Sequence, residues 1–482
     1  MGASVVQGYG ALVPLILVSA WAVLVLVAEM FSSGRRFTGV GWLSIVGLAA
    51  VAAVAATSPV ASTFGKAIAL DAYTVYFTVL LCTVSIGAVF MALDYLPITS
   101  VRGGEYYPLL LFAVVGAVFM AAATDLVVLF IGLETMSMAV YVLAGVSKRD
   151  TRSSEAALKY FLMGAFASAF LLYGIALLYS EAGSTSLAAI SAAAEAARAD
   201  AGPMLLVGAA MVLVGFGFKI ACVPFHLWTP DVYEGAPTSV TVFMATAVKA
   251  AAFAGLVRTA LVALHPLIDH IAPLLWVAAA VTMTVGNVVA LKQTSLKRML
   301  AYSSIAHTGY ILVGLTAGTA AGGAAALYYL AVYAAMNLGA FGVMMMLARE
   351  QDGAEDVRDV AGLGQRSPML AAAMTACMLS LTGIPPLGGF FGKLYVFAAA
   401  LERGYVALVL IAALNSVVSA AYYLGVVRAM YFDTGGLEPA GGRPYLAVAT
   451  AAAVVATIVL GLMPSPVLDA AATALDRVVL GP

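Results

Sequence analysis

Five ionisable residues stand where a chain this apolar should carry no charge. Glu134 lies in LFIGLETMSMAV, Lys219 in GFGFKIACVPFH, Lys249 in TAVKAAAF, Lys393 in PPLGGFFGKLYVF and Lys159 in AALKYFLMG. An ionisable group at mid-bilayer costs roughly 2.5–3.5 kcal/mol even on the lenient insertion scale, so each needs a partner or a task. The task that suits amines and a carboxylate is proton transfer. Burial and like charge weaken a lysine's hold on its proton, and a nearby carboxylate strengthens it. A change of charge at one group then alters proton affinity at the next. One pKa unit is about 1.4 kcal/mol, whereas moving a proton against 150–200 mV costs roughly 3.5–4.6 kcal/mol. Several coupled groups are needed, and a partner protein must supply the energy.

Each residue also has a plainer reading. Glu134 would serve as a protonated structural carboxylate, and Lys393 as a lysine snorkelling to the outer face. Lys219 is about sixteen residues into its span, and Lys249 is central among alanines, so neither reaches water easily. Lys159 is one to two turns from the basic loop at 148–152 and reads equally as snorkelling or functional. His307, in AYSSIAHTGY, and His226 read equally as hydrogen-bonded structural residues or proton relays. Glu29 and Asp125 sit near span ends and read as interfacial.

Helix breaks are the second signal. Pro224 interrupts one span, and Gly383, Ile384, Pro385 and Pro386, with Gly388 and Gly389, interrupt another. Proline removes a donor and frees backbone groups, which in a membrane need water or polar partners. Paired discontinuous helices in two halves point to an ion path at an inverted-repeat interface.

The spans that carry these residues follow from hydropathy. Of 482 residues, 63% are hydrophobic and 10% charged, against about a quarter charged in a soluble domain. The fold class is an all-α polytopic membrane protein. About 14 helices are expected, near 11–31, 39–58, 73–93, 108–123, 126–146, 155–180, 203–223, 237–262, 268–290, 299–318, 323–348, 367–401, 405–430 and 445–464. The seventh continues to about 231 and the twelfth breaks near its middle. The first apolar run lacks a basic preamble and a small-residue cleavage site, and reads as a retained helix.

Spans four to eight and nine to thirteen are read as two inverted five-helix repeats, an odd number that reverses topology between copies. The expected units are 1–107 (three helices), 108–262 and 263–430 (the repeats), and 431–482 (the last helix and tail). Fourteen basic residues fall in loops on one side (Arg35, Arg36, Arg102, Lys148, Arg149, Arg152, Lys292, Lys297, Arg298, Arg349, Arg358, Arg366, Arg428 and Arg443). Five fall on the other (Lys66, Arg198, Arg258, Arg403 and Arg477). This bias places both termini outside the cytoplasm.

Exclusions follow as well. A net charge of −1 offers no nucleic-acid surface. Cys82, Cys222 and Cys377 are isolated and form no redox, zinc or iron–sulfur motif. No nucleotide-binding glycine motif is present, so no cofactor is expected in this chain.

The segments SSEAALKYFLMGAFASAFLLYG (153–174), KIACVPFHLWTPDVYEGAPTSVTVFMATAVKAAAF (219–253), LKRMLAYSSIAHTGY (296–310) and LTGIPPLGGFFGK (381–393) resemble the antiporter-like subunits of respiratory complex I. The run WTPDVYEGAPT and the lysine at 393 are most similar to the N-type members. The resemblance implies a proton-translocating subunit of the cell inner (plasma) membrane. Glu134 would tune Lys219, Lys249 would bridge, Lys393 would lie near the exit, and Lys159 and His307 would be relays. It also implies M-type and K-type neighbours and surrounding lipids, with NADH, FMN, iron–sulfur clusters and quinone held by other subunits. Trp228, Asp231 and Glu234 would be structural or subunit-contacting. The D-type subunit of a multisubunit Mrp-like sodium/proton antiporter, a membrane subunit of an energy-converting hydrogenase and a non-pumping scaffold are the alternatives.

Overall fold

The computed structural model describes residues 12–32, 37–99, 101, 105–198, 201–348 and 355–479. Of the basic loop residues counted above, Arg35, Arg36, Arg102 and Arg349 lie outside the described residues, as do both chain ends.

Helices dominate because the apolar runs leave the backbone no partner but itself. The first three are α1 (Val13–Met30), α2 (Phe37–Thr57) and α3 (Ala72–Tyr95). Between α2 and α3 a small antiparallel hairpin pairs Ala61 with Leu70 and Thr63 with Ile68. There follow α4 (Tyr106–Ala122), α5 (Leu126–Ala144), α6 (Thr151–Ala182), α7 (Leu187–Ala196), α8 (Pro203–Lys219) and α9 (Trp228–Gly235). Next come α10 (Thr238–Ala263), α11 (Ile268–Ala290), α12 (Leu296–Thr316) and α13 (Ala320–Leu347). The chain ends with α14 (Pro368–Thr382), α15 (Gly388–Glu402), α16 (Val406–Phe432), α17 (Pro444–Leu462) and α18 (Ser465–Val479).

Among the described residues, ten helices are long and apolar enough to cross a membrane, and α4, α7, α8 and α14 are shorter apolar helices. Both expected breaks shorten their helices, at 220–227 and at 383–387. The bundle has a clear interior. Every residue in the apolar window of α10 is buried, against 28% in α1, so α10 is central and α1 peripheral.

Polar residues set the ends. Asp125 caps α5 by accepting from the Val127 and Val128 amides, which accounts for the carboxylate read as interfacial. Asp150, Ser295 and Thr319 cap α6, α12 and α13 in the same way. Glycines let helices close. A Cβ at Gly116 of α4 or Gly132 of α5 would fall within 3.0 Å of the opposing backbone, and the same holds for Gly286 of α11 and Gly309 of α12.

Three features differ from the sequence expectation. The short helix α7 and the amphipathic α18, which buries Ala471, Ala474 and Leu475 and exposes Asp469 and Asp476, lie where hydropathy finds no span. Arg258, expected in an outer loop, is instead inside α10 and buried. Lys297 and Arg443, also assigned to loops, are buried against backbone carbonyls: Lys297 donates to Ala236 O, and Arg443 to Met345 O and Ala348 O. A charge hides at a helix end when freed carbonyls are there to receive it.

Candidate functional site

Spacings of three and four place Glu134, Ser137 and Tyr141 on one face of α5. Glu134 Oε1 accepts from Ser168 Oγ of α6 at 2.5 Å. Lys219, at the end of α8, is buried and donates to Ser137 Oγ at 2.7 Å and Tyr141 Oη at 3.0 Å. Its ammonium also lies 5.2 Å from the Tyr141 ring centroid. The hydrogen bonds of Lys219 thus go to hydroxyls of the α5 face, one and two turns along from Glu134.

The chain leaves the helix directly after Lys219, with Ala221 at φ +60, a left-handed conformation unusual for alanine. Side chains satisfy the freed groups. Trp228 Nε1 donates to Phe218 O at 3.0 Å, Thr308 Oγ1 to Ile220 O at 2.6 Å, and Val223 N to Thr282 Oγ1 at 3.0 Å. Trp228 is itself held by stacking on Tyr160, with centroids 4.4 Å apart. Trp228 therefore braces the break.

Lys249 follows a π-helical turn at Met244–Val248 in the centre of α10. It is buried and donates to Ser304 O at 2.7 Å and Thr308 Oγ1 at 2.8 Å. A single hydroxyl, that of Thr308, thus joins Lys249 to the break beside Lys219. Lys249 also lies 5.5 Å from the ring centroid of Tyr333, and His307 packs on the same ring at 5.1 Å. His307 is buried, with Nδ1 2.9 Å from Tyr329 Oη and Nε2 3.2 Å from Tyr423 Oη.

The second break repeats the arrangement with the lysine on its far side. Lys393 donates back to Thr382 O at 2.7 Å, to Leu381 O at 3.2 Å and to Ser416 Oγ of α16 at 2.6 Å. Its ammonium stands 4.6 Å from the Tyr310 ring centroid, and the Tyr310 hydroxyl accepts from Asn287 at 3.0 Å. Asn287 also accepts from Tyr422 at 2.9 Å and donates to Asn415 Oδ1 at 3.3 Å. Polar groups therefore run from Glu134 through the two breaks to Lys393, with His307 and its tyrosines between them.

Lys159 lies elsewhere. Its side chain is 43% exposed, and its ammonium sits 2.8 Å from Glu155 and 2.9 Å from Asp231. Arg298 completes this cluster, 2.9 Å from Asp231 and 2.6 Å from Glu234. Glu155, Lys159, Asp231 and Glu234 of this cluster line a cavity of about 240 Å³ with Arg152, Ala156 and Gly235, at the end of the bundle that carries the basic loop. Asp231 and Glu234 thus clamp α9 to α12. His226 is buried beside the break, and its Nδ1 has no hydrogen-bond partner among the described residues.

Sequence reading missed three sets of residues. Asn287, a lone amide in MTVGNVVAL, was visible as a polar residue in a span. Thr308 and Thr282 carry no such signal, since threonines are common in membrane helices. Arg258 pairs with Asp71 across 187 positions, and no spacing rule reaches that far. Among the described residues, no group of three or more His, Cys, Asp or Glu side chains is arranged to hold a metal ion.

Comparison with known proteins gives the family. Residues 123–419 match the family described as NADH:quinone oxidoreductase/Mrp antiporter, transmembrane. NADH-quinone oxidoreductase subunit N of Trichlorobacter lovleyi is 43% identical over 471 residues, covering 97% of both chains. A chain of respiratory complex I from Thermus thermophilus superposes with a TM-score of 0.80 at 36% identity, covering 95% of this chain and 99% of that one. A chain of the Mrp complex from a Dietzia species has a TM-score of 0.83 at 21% identity, covering 98% of each, a likeness of fold alone.

Proposed function

Because the chain belongs to the NADH:quinone oxidoreductase/Mrp antiporter transmembrane family, and within it to the subunit N group, we propose that it moves protons across the membrane as part of an NADH:quinone oxidoreductase. Quinone reduction elsewhere in the complex drives it. The observation that carries the reading is the set of three buried lysines, two beside broken helices and one between them. Each is held by hydroxyls or backbone carbonyls.

Glu134 and Lys219 form the first station, Lys249 the bridge, and Lys393 the last station before release. His307, with Tyr329 and Tyr423, relays between Lys249 and Lys393. Lys159, in its half-exposed cavity with Asp231, receives protons at the basic end. Two inverted five-helix units, 108–262 and 263–430, form this path, flanked by 1–107 and by 431–482. The close glycine crossings of α4 with α5 and of α11 with α12, first pairs of the two units, support that division. The complex sits in the cell's inner (plasma) membrane with M-type and K-type neighbours, and its lipids cover the exposed apolar faces. Both termini lie outside the cytoplasm. NADH, FMN, iron–sulfur clusters and quinone belong to other subunits.

The test is Lys219→Ala in the native host, with membrane vesicles assayed for inhibitor-sensitive NADH oxidation and the accompanying proton gradient. Loss or marked weakening of the gradient is expected. A normal gradient with impaired sodium/proton exchange would make the chain an Mrp-like antiporter subunit. No change in either would make the lysine structural and sink the transport reading.

A further inference from the structure

Arg258 and Asp71 form the most enclosed ion pair among those described, and the mechanism above does not use it. Arg258 has 2% of its side chain exposed and Asp71 20%. The guanidinium meets both carboxylate oxygens at 2.8 Å, donates to Thr74 Oγ1 at 3.1 Å, and lies 4.5 Å from the Tyr73 ring centroid. Tyr73 Oη donates to Ala254 O of α10 at 2.6 Å, one turn before Arg258. On the same helix as Tyr73, Tyr76 Oη donates to Leu327 O of α13 at 3.0 Å, so α3 is tied to two neighbours.

A buried ion pair adds little net stability, because desolvation offsets the attraction. What a two-bond Arg–carboxylate fork supplies is fixed geometry. The geometry it fixes here is that of a short rod. Two π-helical turns, Met244–Val248 and Thr259–Ala263, bound a regular α-helical stretch from Lys249 to Arg258. A π-turn carries one extra residue per turn and is where a helix changes register. One residue of slip turns the rod by about 100° and shifts it about 1.5 Å. Lys249 at the rod's other end, about 13 Å away, would then leave Ser304 O and Thr308 Oγ1.

We propose that the Asp71–Arg258 pair is a positioning device that sets the register of the Lys249–Arg258 rod and so aims Lys249 at Thr308. The inference rests on the transport role of Lys249 given above. It also gives a task to the segment before residue 123, where the family match begins. Asp71 touches no proton on the path. It acts through Lys249.

The experiment uses the whole complex in native membranes, with Asp71→Asn, Arg258→Lys and Lys249→Ala made singly and Asp71→Asn and Arg258→Lys each combined with Lys249→Ala. Assembled complex is quantified, NADH oxidation by a soluble electron acceptor checks the redox arm, and protons moved per NADH report the path. Misaiming a reacting group by an ångström or more costs on the order of tenfold or more. Asp71→Asn and Arg258→Lys should each lower proton movement about tenfold at normal assembly, and neither should lower it further in the Lys249→Ala background. Should that background leave nothing to measure, Lys249→Arg, with a cation on the same rod, replaces it. Multiplying losses, or normal proton movement in both single variants, overturn the proposal. Arg258→Lys keeps the charge without the fork; if it too fails to assemble, the pair is a folding element and the proposal falls. Normal proton movement in Lys249→Ala would instead refute the role of Lys249, a failure distinct from that of the anchor.

Discussion

Thr308→Val is the substitution that most directly tests whether Lys249 and the first break work as one path. The Thr308 hydroxyl accepts from Lys249 Nζ at 2.8 Å and donates to Ile220 O at 2.6 Å, and valine keeps the branching while removing both bonds. A hydrogen bond to a charged group contributes about 1.5–3 kcal/mol. Ser304 O still holds the ammonium, which favours the lower end. Since about 1.4 kcal/mol is tenfold, the step through Lys249 should slow roughly ten- to a hundredfold. The stranded Ile220 carbonyl adds a separate cost of about 1–3 kcal/mol, read as lower thermal stability of the assembled complex. The assay is the initial rate of gradient formation per NADH oxidised in vesicles, normalised to assembled complex. Thr308→Ser, which restores the hydroxyl, should recover both quantities. A Thr308→Val complex with wild-type proton yield and stability would show that the hydroxyl bridge carries nothing.

Two further outcomes follow from packing and charge. Gly116→Ala should destabilise the chain by about 1–3 kcal/mol, because its methyl would meet the α5 backbone within 3.0 Å; thermal unfolding of the purified complex measures this, and an unchanged midpoint would refute the close crossing. At Asp71, burial works to raise the carboxyl, but the Arg258 guanidinium overrides it and holds the group below its ordinary value. A carboxylate depressed in the folded state contributes stability that is complete above the unfolded value, about 3.9, and is lost as pH falls through the folded one. Thermal stability followed from pH 6 down to 3 should therefore fall more steeply below about pH 4 in the wild type than in Asp71→Asn, and equal slopes would refute the pairing.

Much of this was legible in the sequence, for a definite reason. A charge inside an apolar run is conspicuous because the bilayer makes it costly, so Glu134, Lys219, Lys249 and Lys393 stand out by hydropathy alone. The prolines at 224, 385 and 386 mark the breaks because proline cannot donate within a helix. Arg258, Lys297 and Arg443 were read as loop residues because hydropathy treats a charge near a span's end as solvated. It does not see the carboxylate or carbonyls that receive each one inside the bundle. The partners of the lysines were illegible for a related reason. Ser137, Tyr141, Thr308 and Ser416 are ordinary in membrane helices, and only three-dimensional packing brings them to an ammonium.

Those partners bear on why the lysines suit a relay. Removing one member of a buried ion pair costs about 3–5 kcal/mol, because the other charge is left unpaired. That is as large as the roughly 3.5–4.6 kcal/mol that a proton gains or loses across 150–200 mV. A lysine locked to a carboxylate would thus need most of the driving energy merely to release its proton. Lys219, Lys249 and Lys393 rest on hydroxyls and carbonyls, which strand no charge when the ammonium becomes an amine, and a hydroxyl can turn to donate to the neutral nitrogen. Glu134 is close enough on the α5 face to act on Lys219 through space, yet its own hydrogen bond goes to Ser168. The tight carboxylate pairs fall outside this row: Asp231 with Lys159 and Arg298 at the basic end, and Asp71 with Arg258 on the anchored side of α10. Inside the bundle, Arg258, which holds the scaffold, is paired with a carboxylate, and the three buried lysines that must change charge are left with neutral partners.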